Sequence, residues 1–232
     1  MKVHQAVCGG LHTVVLTKDG ETYSWGSTEG GQLGLLPAFV AEMTQGEGVP
    51  ITTPHKIPKL EGLHVSQVAC GEAHSIAMTK DGRLFGWGMS NYGQLGLGFS
   101  ADSFEPGIGM EKSKVYEPTE ITGLRGEGRI LKILCGATFS LFQTEKGDLF
   151  GCGMNDLGQL GLDTFMDDII HQNSLDNIKK GRHQQNSTDV TVPTKVICFQ
   201  GIGLHNIACG ENHAMAVSGD DRNMLWAWGM YR

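Results

Sequence analysis

The sequence predicts an all-β protein that folds as a β-propeller, in which small antiparallel sheets stack around a common axis. A Cys-Gly dipeptide opens four similar stretches, and three of these stretches continue to a Gly-Gln-Leu-Gly-Leu segment. Within each stretch, short runs of alternating apolar and polar residues are separated by turns that contain glycine. Self-similarity of this kind marks a repeat architecture, and short strands between regular turns favour radial stacking of sheets. The repeat cysteines are Cys8, Cys70, Cys135 and Cys209.

The second repeat shows the elements of one unit most clearly. Cys70 ends a first strand, and residues 74–79 alternate between the two faces of a second strand. Asp81-Gly82 predicts a two-residue hairpin turn in which both residues have positive φ, and Trp87 belongs to the third strand that follows. The matching turn pairs in the first and third repeats are Asp19-Gly20 and Lys146-Gly147.

A fourth strand is predicted from a proline after each Gly-Gln-Leu-Gly-Leu segment. Because proline has no N–H for the ladder, a strand that starts with proline suits the outer edge of a sheet. A sheet of three or four strands cannot bury both of its faces alone, so neighbouring sheets must cover it. A solenoid of strands is the alternative to a propeller. The three predicted strands run from Pro54 to Leu60, Pro118 to Leu124 and Pro193 to Phe199.

The composition restricts the class of protein. The 232 residues carry a formal net charge of −7, which gives no general attraction to nucleic acid or to anionic membranes. No apolar run approaches the ~20 residues of a membrane span, and the start of the chain lacks the pattern of a signal peptide. We therefore expect an intracellular protein of the cytoplasm or nucleus. We predict no cofactor.

The six cysteines occupy repeat positions or lie singly, and they form no Cys-x-x-Cys pair. We interpret them as reduced, small buried hydrophobic residues and predict no metal site. The tryptophans at the repeated strand position are expected to pack in the core or between blades, whereas Trp226 lies outside this pattern.

Three histidines share one position of the repeat: His12, His74 and His213. A pairing of His74 with Ser75 as base and nucleophile would need an orienting group and an oxyanion site, which the nearby sequence does not supply. We therefore interpret the histidines as structural residues that bond backbone in the adjoining turn or blade, and we predict no catalytic residue.

The Gly-Gln-Leu-Gly-Leu segments lack the Gly-Lys-Ser/Thr ending of a phosphate-binding loop. Their glycines are expected to supply positive φ or close backbone approach, and the glutamine amide to satisfy backbone groups of the turn.

The order of the motifs makes the chain resemble the regulator of chromosome condensation repeat family. The second repeat contains the whole series: Cys-Gly-x-x-His, Thr-Lys-Asp-Gly, Trp-Gly, Gly-Gln-Leu-Gly-Leu and a Pro-Thr strand. The resemblance implies a seven-bladed propeller, of which this chain supplies about four blades as one continuous array. We expect the sequence to be part of a longer protein. The approximate repeats are 1–60, 61–124, 125–200 and 201–232, the last of them truncated.

The resemblance leaves different classes of function open. We expect a non-catalytic scaffold that holds a protein partner on its loop faces. The alternative is a guanine-nucleotide exchange factor for a Ran-like small GTPase, and chromatin association is a further option. Exchange factors of this family use the Cys-Gly-x-x-His turns, which nominates, position by position, Glu72, His74, Glu211, Asn212 and His213.

Insertions between each Gly-Gln-Leu-Gly-Leu segment and the next proline are the largest departures from the repeat. Because insertions at one repeat position project from the same part of every blade, they favour a combined recognition surface. The third insertion, from Asp163 to Val192, contains a basic cluster. Its members are further candidates for partner binding: Lys179, Lys180, Arg182 and His183. A partial propeller also leaves faces and strand edges uncovered, so we expect the isolated chain to self-associate or to be poorly stable.

Overall fold

The computed structural model describes residues 2–44, 48–101, 113–162, 188–219 and 224–230, which form four antiparallel sheets. We number the sheets as blades 1 to 4 in chain order. Blade 1 contains β1 (Val3–Cys8), β2 (His12–Thr17), β3 (Thr22–Gly26) and β4 (Ile51–Lys56). Blade 2 contains β5 (Val65–Cys70), β6 (His74–Thr79), β7 (Leu84–Met89) and β8 (Lys114–Glu120). Blade 3 contains β9 (Ile130–Cys135), β10 (Phe139–Thr144), β11 (Leu149–Gly153) and β12 (Val190–Lys195). Blade 4 contains β13 (Leu204–Cys209), β14 (His213–Ser218) and β15 (Leu225–Gly229).

Strands pair in chain order within every blade. Between blades, the first strand contacts the first strand of the next blade, as β1 does β5, β5 does β9 and β9 does β13. The first strands therefore line the inner side, where the blades converge, and the fourth strands form the outer edges. This is the arrangement of a propeller. The prediction of an all-β, partial propeller is confirmed.

The hairpin loops between second and third strands contain three residues, one more than the two that the sequence predicted. In blade 2, Gly82 has a φ of 87°, but Asp81 is not in the positive-φ region. The N–H of Gly82 donates to the carbonyl of Thr79 at 3.0 Å, and the N–H of Thr79 donates to the carbonyl of Arg83 at 2.9 Å. The loop thus has three residues and one left-handed position, which only the glycine must occupy. For this reason lysine serves equally well before glycine in blade 3.

The fourth strands lie at outer edges, as predicted, but they begin before their prolines. In blade 1, Ser24 pairs with His55 and Gly26 pairs with Ile51, so the register shifts across the stretch that contains Pro54. Proline, which cannot donate to the ladder, therefore sits where the ladder is interrupted. The chain after two of these strands forms 3-10 helices at Pro58–Leu60 and Ile197–Phe199 rather than more strand.

The hydrophobic core lies between the blades. Three large clusters each combine residues from two neighbouring blades, so the two faces of blade 2, and likewise of blade 3, belong to two different clusters. Trp226 belongs to this pattern, because it pairs with Ala216 in the register that places Phe85 opposite Ala77. Trp226 thus lies at the Phe85 position, outside the repeated tryptophan position, and packs against the core cluster between blades 3 and 4. The cluster between blades 1 and 2 contains Val14, Leu16, Ile57, Leu60, Val65, Val68, Ala77, Phe85 and Trp87.

Candidate functional site

The Cys-Gly-x-x-His turns and the segments after the third strands lie at one end of the array, which we call the upper end. In blade 1, the N–H of Ser27, just after β3, donates to the carbonyl of Leu11 in the turn at 2.8 Å. In the other three blades, an equivalent hydrogen bond joins the residue after the third strand to the turn. The chain therefore leaves each third strand beside the turn of its own blade. The equivalent bonds run from Met89 to Ala73, Met154 to Thr138 and Met230 to Asn212.

A chain of backbone hydrogen bonds links the four turns into an inner rim. The N–H of Gly10 donates to the carbonyl of Glu72, that of Glu72 to Ala137, and that of Ala137 to Glu211, each at 3.0 Å. The backbone at this position thus joins neighbouring blades. The side chains of Glu72 and Glu211 are exposed. Two carboxylates are therefore presented at the upper end, in blades 2 and 4.

Two of the repeated histidines bond to the next blade. Nε2 of His12 lies 2.8 Å from Oγ of Ser75, and Nε2 of His74 lies 2.9 Å from Oγ of Ser140. Each serine donates its own proton to a glutamine carbonyl of the preceding blade, Ser140 to Gln94 at 2.8 Å and Ser75 to Gln32 at 3.2 Å. The histidine Nε2 therefore carries the proton that it donates to serine. For Nε2 of these two histidines, the partner is thus a hydroxyl of the next blade and not a backbone group.

Burial governs the chemistry of these histidines. It lowers the pKa of His12 to about 4 and that of His74 to about 3, so both imidazoles are neutral near pH 7. A base with such a pKa accepts protons poorly at neutral pH. His74 is also completely buried. We therefore leave His74 out of the candidate surface, whereas His213 and Asn212 in blade 4 are half-buried.

At the interface between blades 3 and 4, an apolar pair of side chains takes the place of the histidine–serine pair. Phe139 takes the histidine position of blade 3, and Ala214 takes the hydroxyl position of blade 4. Both are completely buried and belong to one core cluster. The two positions thus change together across an interface, from histidine with serine to phenylalanine with alanine. The sequence contained this signal, but it appears only when each histidine is compared with the following repeat.

The Gly-Gln-Leu-Gly-Leu segments join each blade to the next through hydrogen bonds and packing contacts. The carbonyl of Gln32 accepts a hydrogen bond from Nε1 of Trp87 in blade 2 at 2.9 Å. In blade 3, Cys152 takes the tryptophan position, and its thiol contacts the carbonyl of Gln94 at 3.5 Å. Gly34 has a φ of 68°, and a Cβ there would lie 3.0 Å from the Trp87 ring nitrogen. The segments are thus structural.

The glutamine side chains accept hydrogen bonds from backbone N–H groups of the turns, as predicted. Oε1 of Gln32, Gln94 and Gln159 each accepts a backbone N–H two residues earlier, at 2.7, 3.0 and 2.9 Å. These bonds fix the loop that carries the interface carbonyl.

Comparison with known proteins decides the family. A model described as the RCC1-like domain matches residues 1–232. This chain belongs to the RCC1-like domain family. The resemblance to the regulator of chromosome condensation repeat is thereby confirmed.

Two curated relatives of this RCC1-like domain are longer proteins. It is 31% identical over 225 residues to the human protein named Probable E3 ubiquitin-protein ligase HERC3, with 97% of this chain and 17% of the ligase covered. It is 28% identical over 231 residues to the Ultraviolet-B receptor UVR8 of Arabidopsis thaliana, with 100% of this chain and 42% of the receptor covered. The chain thus spans less than half the length of these relatives.

A solved structure of yeast RCC1 (Prp20) bound to Kap60 matches the fold of this RCC1-like domain. The TM-score is 0.71 at 26% identity, with 98% of this chain and 43% of that chain covered. The likeness supports the propeller architecture described above.

The first insertion of the RCC1-like domain forms a helix that the sequence analysis missed, α1 (Pro37–Thr44). Phe39 and Met43 on this helix are 38% and 47% exposed. A cleft of about 780 Å³ separates α1 from Lys114 and Tyr116 of blade 2. The cleft is lined in part by Leu33, Leu35 and Val40.

The third insertion is shorter than the sequence suggested. Its proposed end, Val192, lies inside β12, which begins at Val190, a buried core residue. The four basic candidates, Lys179, Lys180, Arg182 and His183, lie outside the described residues. Their role in partner binding stays a prediction.

Neither a membrane helix nor a metal cluster is found in the part of the chain that the structure describes. Its one α-helix is too short to cross a bilayer. Within the same residues, no three side chains of the types His, Cys, Asp and Glu gather where they could bind a metal ion.

The cysteines fall into two groups by exposure. Burial raises the pKa of the Cys70 and Cys209 thiols to about 12 and that of Cys135 well above its usual value. Cys8 and Cys198 are exposed, so the expectation of buried cysteines was wrong for these two.

Thiol titration distinguishes the two groups. We expect Cys8 and Cys198 to react quickly with an aromatic disulfide reagent in the native protein, because only exposed thiols meet the reagent. Denaturation without reductant should release all six thiols. The Cys8→Ser, Cys198→Ser double variant is the control and should lose the fast phase. A denatured count below six would reveal a disulfide and contradict the assignment of the cysteines to equivalent repeat positions.

Proposed function

We propose that this RCC1-like domain is a non-catalytic scaffold that holds a protein partner at its upper end. The observation that supports the proposal most is that the turns and the ends of the third strands lie side by side at this end. The buried histidines, tryptophans and glutamines of the same motifs are used for packing between blades. The side chains that remain for a partner are the exposed ones.

The upper end offers a mixed apolar and acidic surface. Leu11 is 74% exposed in the turn of blade 1, and the carboxylates of Glu72 and Glu211 stand at the same turn position of blades 2 and 4. Exposed apolar side chains with polar neighbours are typical of protein interaction sites. The helix α1 adds Phe39 and Met43. A partner with basic and apolar side chains fits this surface.

A known relative supports a role in protein binding. Yeast RCC1 (Prp20), whose fold this chain shares, is bound to Kap60 in its solved structure. Since this chain spans only part of its relatives, the partner of this chain and its location in cytoplasm or nucleus belong to the proposal.

The test compares two sets of variants in a pull-down from an extract of the protein's own cells. One variant replaces residues 163–187 with a short Gly-Ser linker and so leaves β12 intact. The other is the Glu72→Ala, Glu211→Ala double variant. We expect the deletion to weaken partner recovery more, because the insertion is the largest departure from the repeat. The matched control is Glu127→Ala with Glu145→Ala, two exposed glutamates away from the inner rim.

The alternative function is guanine-nucleotide exchange on a Ran-like small GTPase. The same rim position supports it, because Glu72 and Glu211 occupy the turns that exchange factors of this family use. An exchange factor must bind the nucleotide-free GTPase more tightly than the nucleotide-bound form. Two blades contribute no charge to the rim, since Gly10 and Ala137 hold the equivalent positions.

Release of a fluorescent nucleotide from a Ran-like GTPase decides between the two functions. We expect no acceleration by this chain. Rapid release that is abolished by the two glutamate changes, with the deletion silent, would establish exchange and exclude the scaffold proposal. Chromatin association is the third option. The basic cluster from Lys179 to His183 favours it, whereas the net charge of −7 opposes it.

A further inference from the structure

We propose that the cleft between α1 and blade 2 is a docking site for a protein segment that carries apolar side chains and a basic one. The inference rests on the proposed scaffold function, for which it names the chemistry of the partner and one place of contact. The cleft has a volume of about 780 Å³, which is in the range of ligand-binding clefts. Its walls are α1, inserted in blade 1, and β8 of blade 2, so both walls belong to this chain.

The cleft arises where the chain leaves the path that it takes in the next blade. After Gly96 of blade 2, the N–H of Gly98 donates to the carbonyl of Thr191 in β12 at 2.9 Å, so this segment lies directly on blade 3. Leu36 is the residue of blade 1 that corresponds to Gly98, and Pro37 follows it. Because proline has the φ of a first helical residue, the chain turns here into α1. The helix stands beside β8 with the cleft between them.

One stripe of α1 faces the cleft. Its members lie three, four and seven residues after Pro37, the spacing that places side chains on one side of a helix. In a helix that packs on a core such a stripe is buried, yet no residue of α1 is buried. An apolar face that stays accessible marks an interaction surface. The residues of α1 that line the cleft are Pro37, Val40, Ala41 and Thr44.

The helix is held in place by contacts with blade 1. Val40 packs against a small core cluster that contains Leu33 and Leu35. On another side of α1, the Phe39 ring meets the His55 ring of β4 edge to face, with 5.5 Å between the ring centroids. A surface that is already ordered avoids the loss of entropy that ordering on binding would cost. The cleft is therefore preformed for a partner.

The apolar surface of α1 extends beyond the cleft and so suits a protein segment better than a small molecule. Leu36, just before the helix, is 51% exposed, and Phe39 and Met43 are also exposed. Their spacing of three and four residues places them in a second stripe beside that of the cleft. A segment of several residues can fill the cleft with one apolar side chain and cover the second stripe with others. Amphipathic helices bind apolar grooves in this way.

Charge around the cleft favours a basic side chain in the partner. Glu29 lines the cleft and is exposed. The C-terminal residue of α1, Thr44, lies on the same lining, and the last turn of the helix contains no basic residue to offset the negative end of the helix dipole. Lys114 stands on the opposite wall, in β8. A cation of the partner is thus drawn toward Glu29 and away from Lys114, which orients the bound segment.

Selection from a library of random dodecapeptides displayed on phage tests the proposal, with the whole 232-residue chain as bait. We expect the enriched peptides to combine apolar residues with Lys or Arg. An enriched peptide, synthesised with a fluorescent label, then serves as the probe. Fluorescence anisotropy measures its affinity for wild type and for each variant.

Two variants address the apolar and the charged part of the site. Ala41→Trp fills the cleft from an exposed position of α1 and should weaken peptide binding by about tenfold or more, because the indole takes the place of the partner's apolar side chain. Glu29→Lys should weaken binding by about fivefold or more at low salt, and by less as the salt concentration rises.

Each variant has a matched control that should bind the peptide like wild type. Ala38→Trp makes the same substitution at another exposed position of α1, which does not line the cleft. Glu127→Lys reverses the charge of an exposed glutamate in the chain between blades 2 and 3.

Several results would overturn the proposal. A library that yields no binding peptide would show that the cleft does not accept a protein segment. A peptide that binds Ala41→Trp as tightly as wild type would dock elsewhere. Enrichment of acidic peptides would contradict the role of Glu29. Self-association of wild type that Ala41→Trp removes, measured by sedimentation velocity, would make a second copy of this chain the occupant.

The same variants separate this inference from the proposed scaffold function. If wild type and Ala41→Trp recover the cellular partner equally well in the pull-down and no peptide binds in the cleft, the cleft proposal fails and the scaffold function stands. If wild type recovers no partner while a selected basic peptide still binds in the cleft, the scaffold function fails and the cleft remains a peptide site.

Discussion

Replacing Trp87 with alanine should lower the free energy of unfolding by about 3–5 kcal/mol, the usual cost of removing a large aromatic side chain from a core. The side chain is completely buried between blades 1 and 2. Its Nε1 donates to the carbonyl of Gln32 at 2.9 Å, so the substitution also leaves that carbonyl without the indole donor. Urea unfolding with linear extrapolation measures the effect.

Trp25 is the matched control, because it occupies the same strand position in blade 1. Trp25 is only half-buried, whereas Trp87 is completely buried. Trp25→Ala should therefore cost clearly less than Trp87→Ala. Equal losses in the free energy of unfolding would mean that the tryptophan stabilises its own sheet. They would contradict the view that it stabilises the interface between blades.

The sequence predicted what depends on local residues. The strands follow from alternation, and the Gly82 turn follows from the conformational freedom of glycine. The role of Gln32 could also be predicted from the sequence, because its side-chain amide and the N–H that it accepts from belong to residues only two positions apart. The exact start of β4 was not accessible, since the shift in register around Pro54 depends on the pairing of two strands far apart in the chain.

The candidate site was predicted only in part, because one motif serves two environments. Glu72 and His74 are two residues apart and were nominated together. The turn directs the glutamate to solvent, and the strand that starts at His74 directs the imidazole into the next blade. Deciding between these directions requires the position of Ser140, which is far away in the sequence. The pairing of Phe139 with Ala214 was missed for the same reason.

The His74–Ser140 contact leads to the second large expected effect. Ser140→Ala should lower the free energy of unfolding by about 1–3 kcal/mol, because it leaves the buried Nε2–H of His74 without an acceptor. The His74→Phe, Ser140→Ala double variant should recover most of this loss. It reproduces the pair that Phe139 and Ala214 form at the next interface. Ser140→Thr, which keeps the hydroxyl, is the conservative control.

The same double variant should change the response of stability to acid. Burial holds the pKa of His74 near 3, below its ordinary value of 6.5, so the unfolded chain binds a proton between these values that the folded chain does not. The contribution of His74 to the free energy of unfolding is fully present above pH 6.5 and is lost as the pH falls toward 3. The loss is about 1.4 kcal/mol per pH unit within that window.

Urea unfolding at several values between about pH 6 and pH 4 measures this slope. The double variant lacks the imidazole, so its slope should be shallower than that of wild type by about 1.4 kcal/mol per pH unit. His12 keeps its own contribution, because its partner Ser75 is unchanged. If the double variant is as unstable as Ser140→Ala, the apolar pair is not interchangeable between interfaces. If its acid slope equals that of wild type, His74 takes up its proton without unfolding, and the buried histidine does not couple the blades in the way its geometry implies.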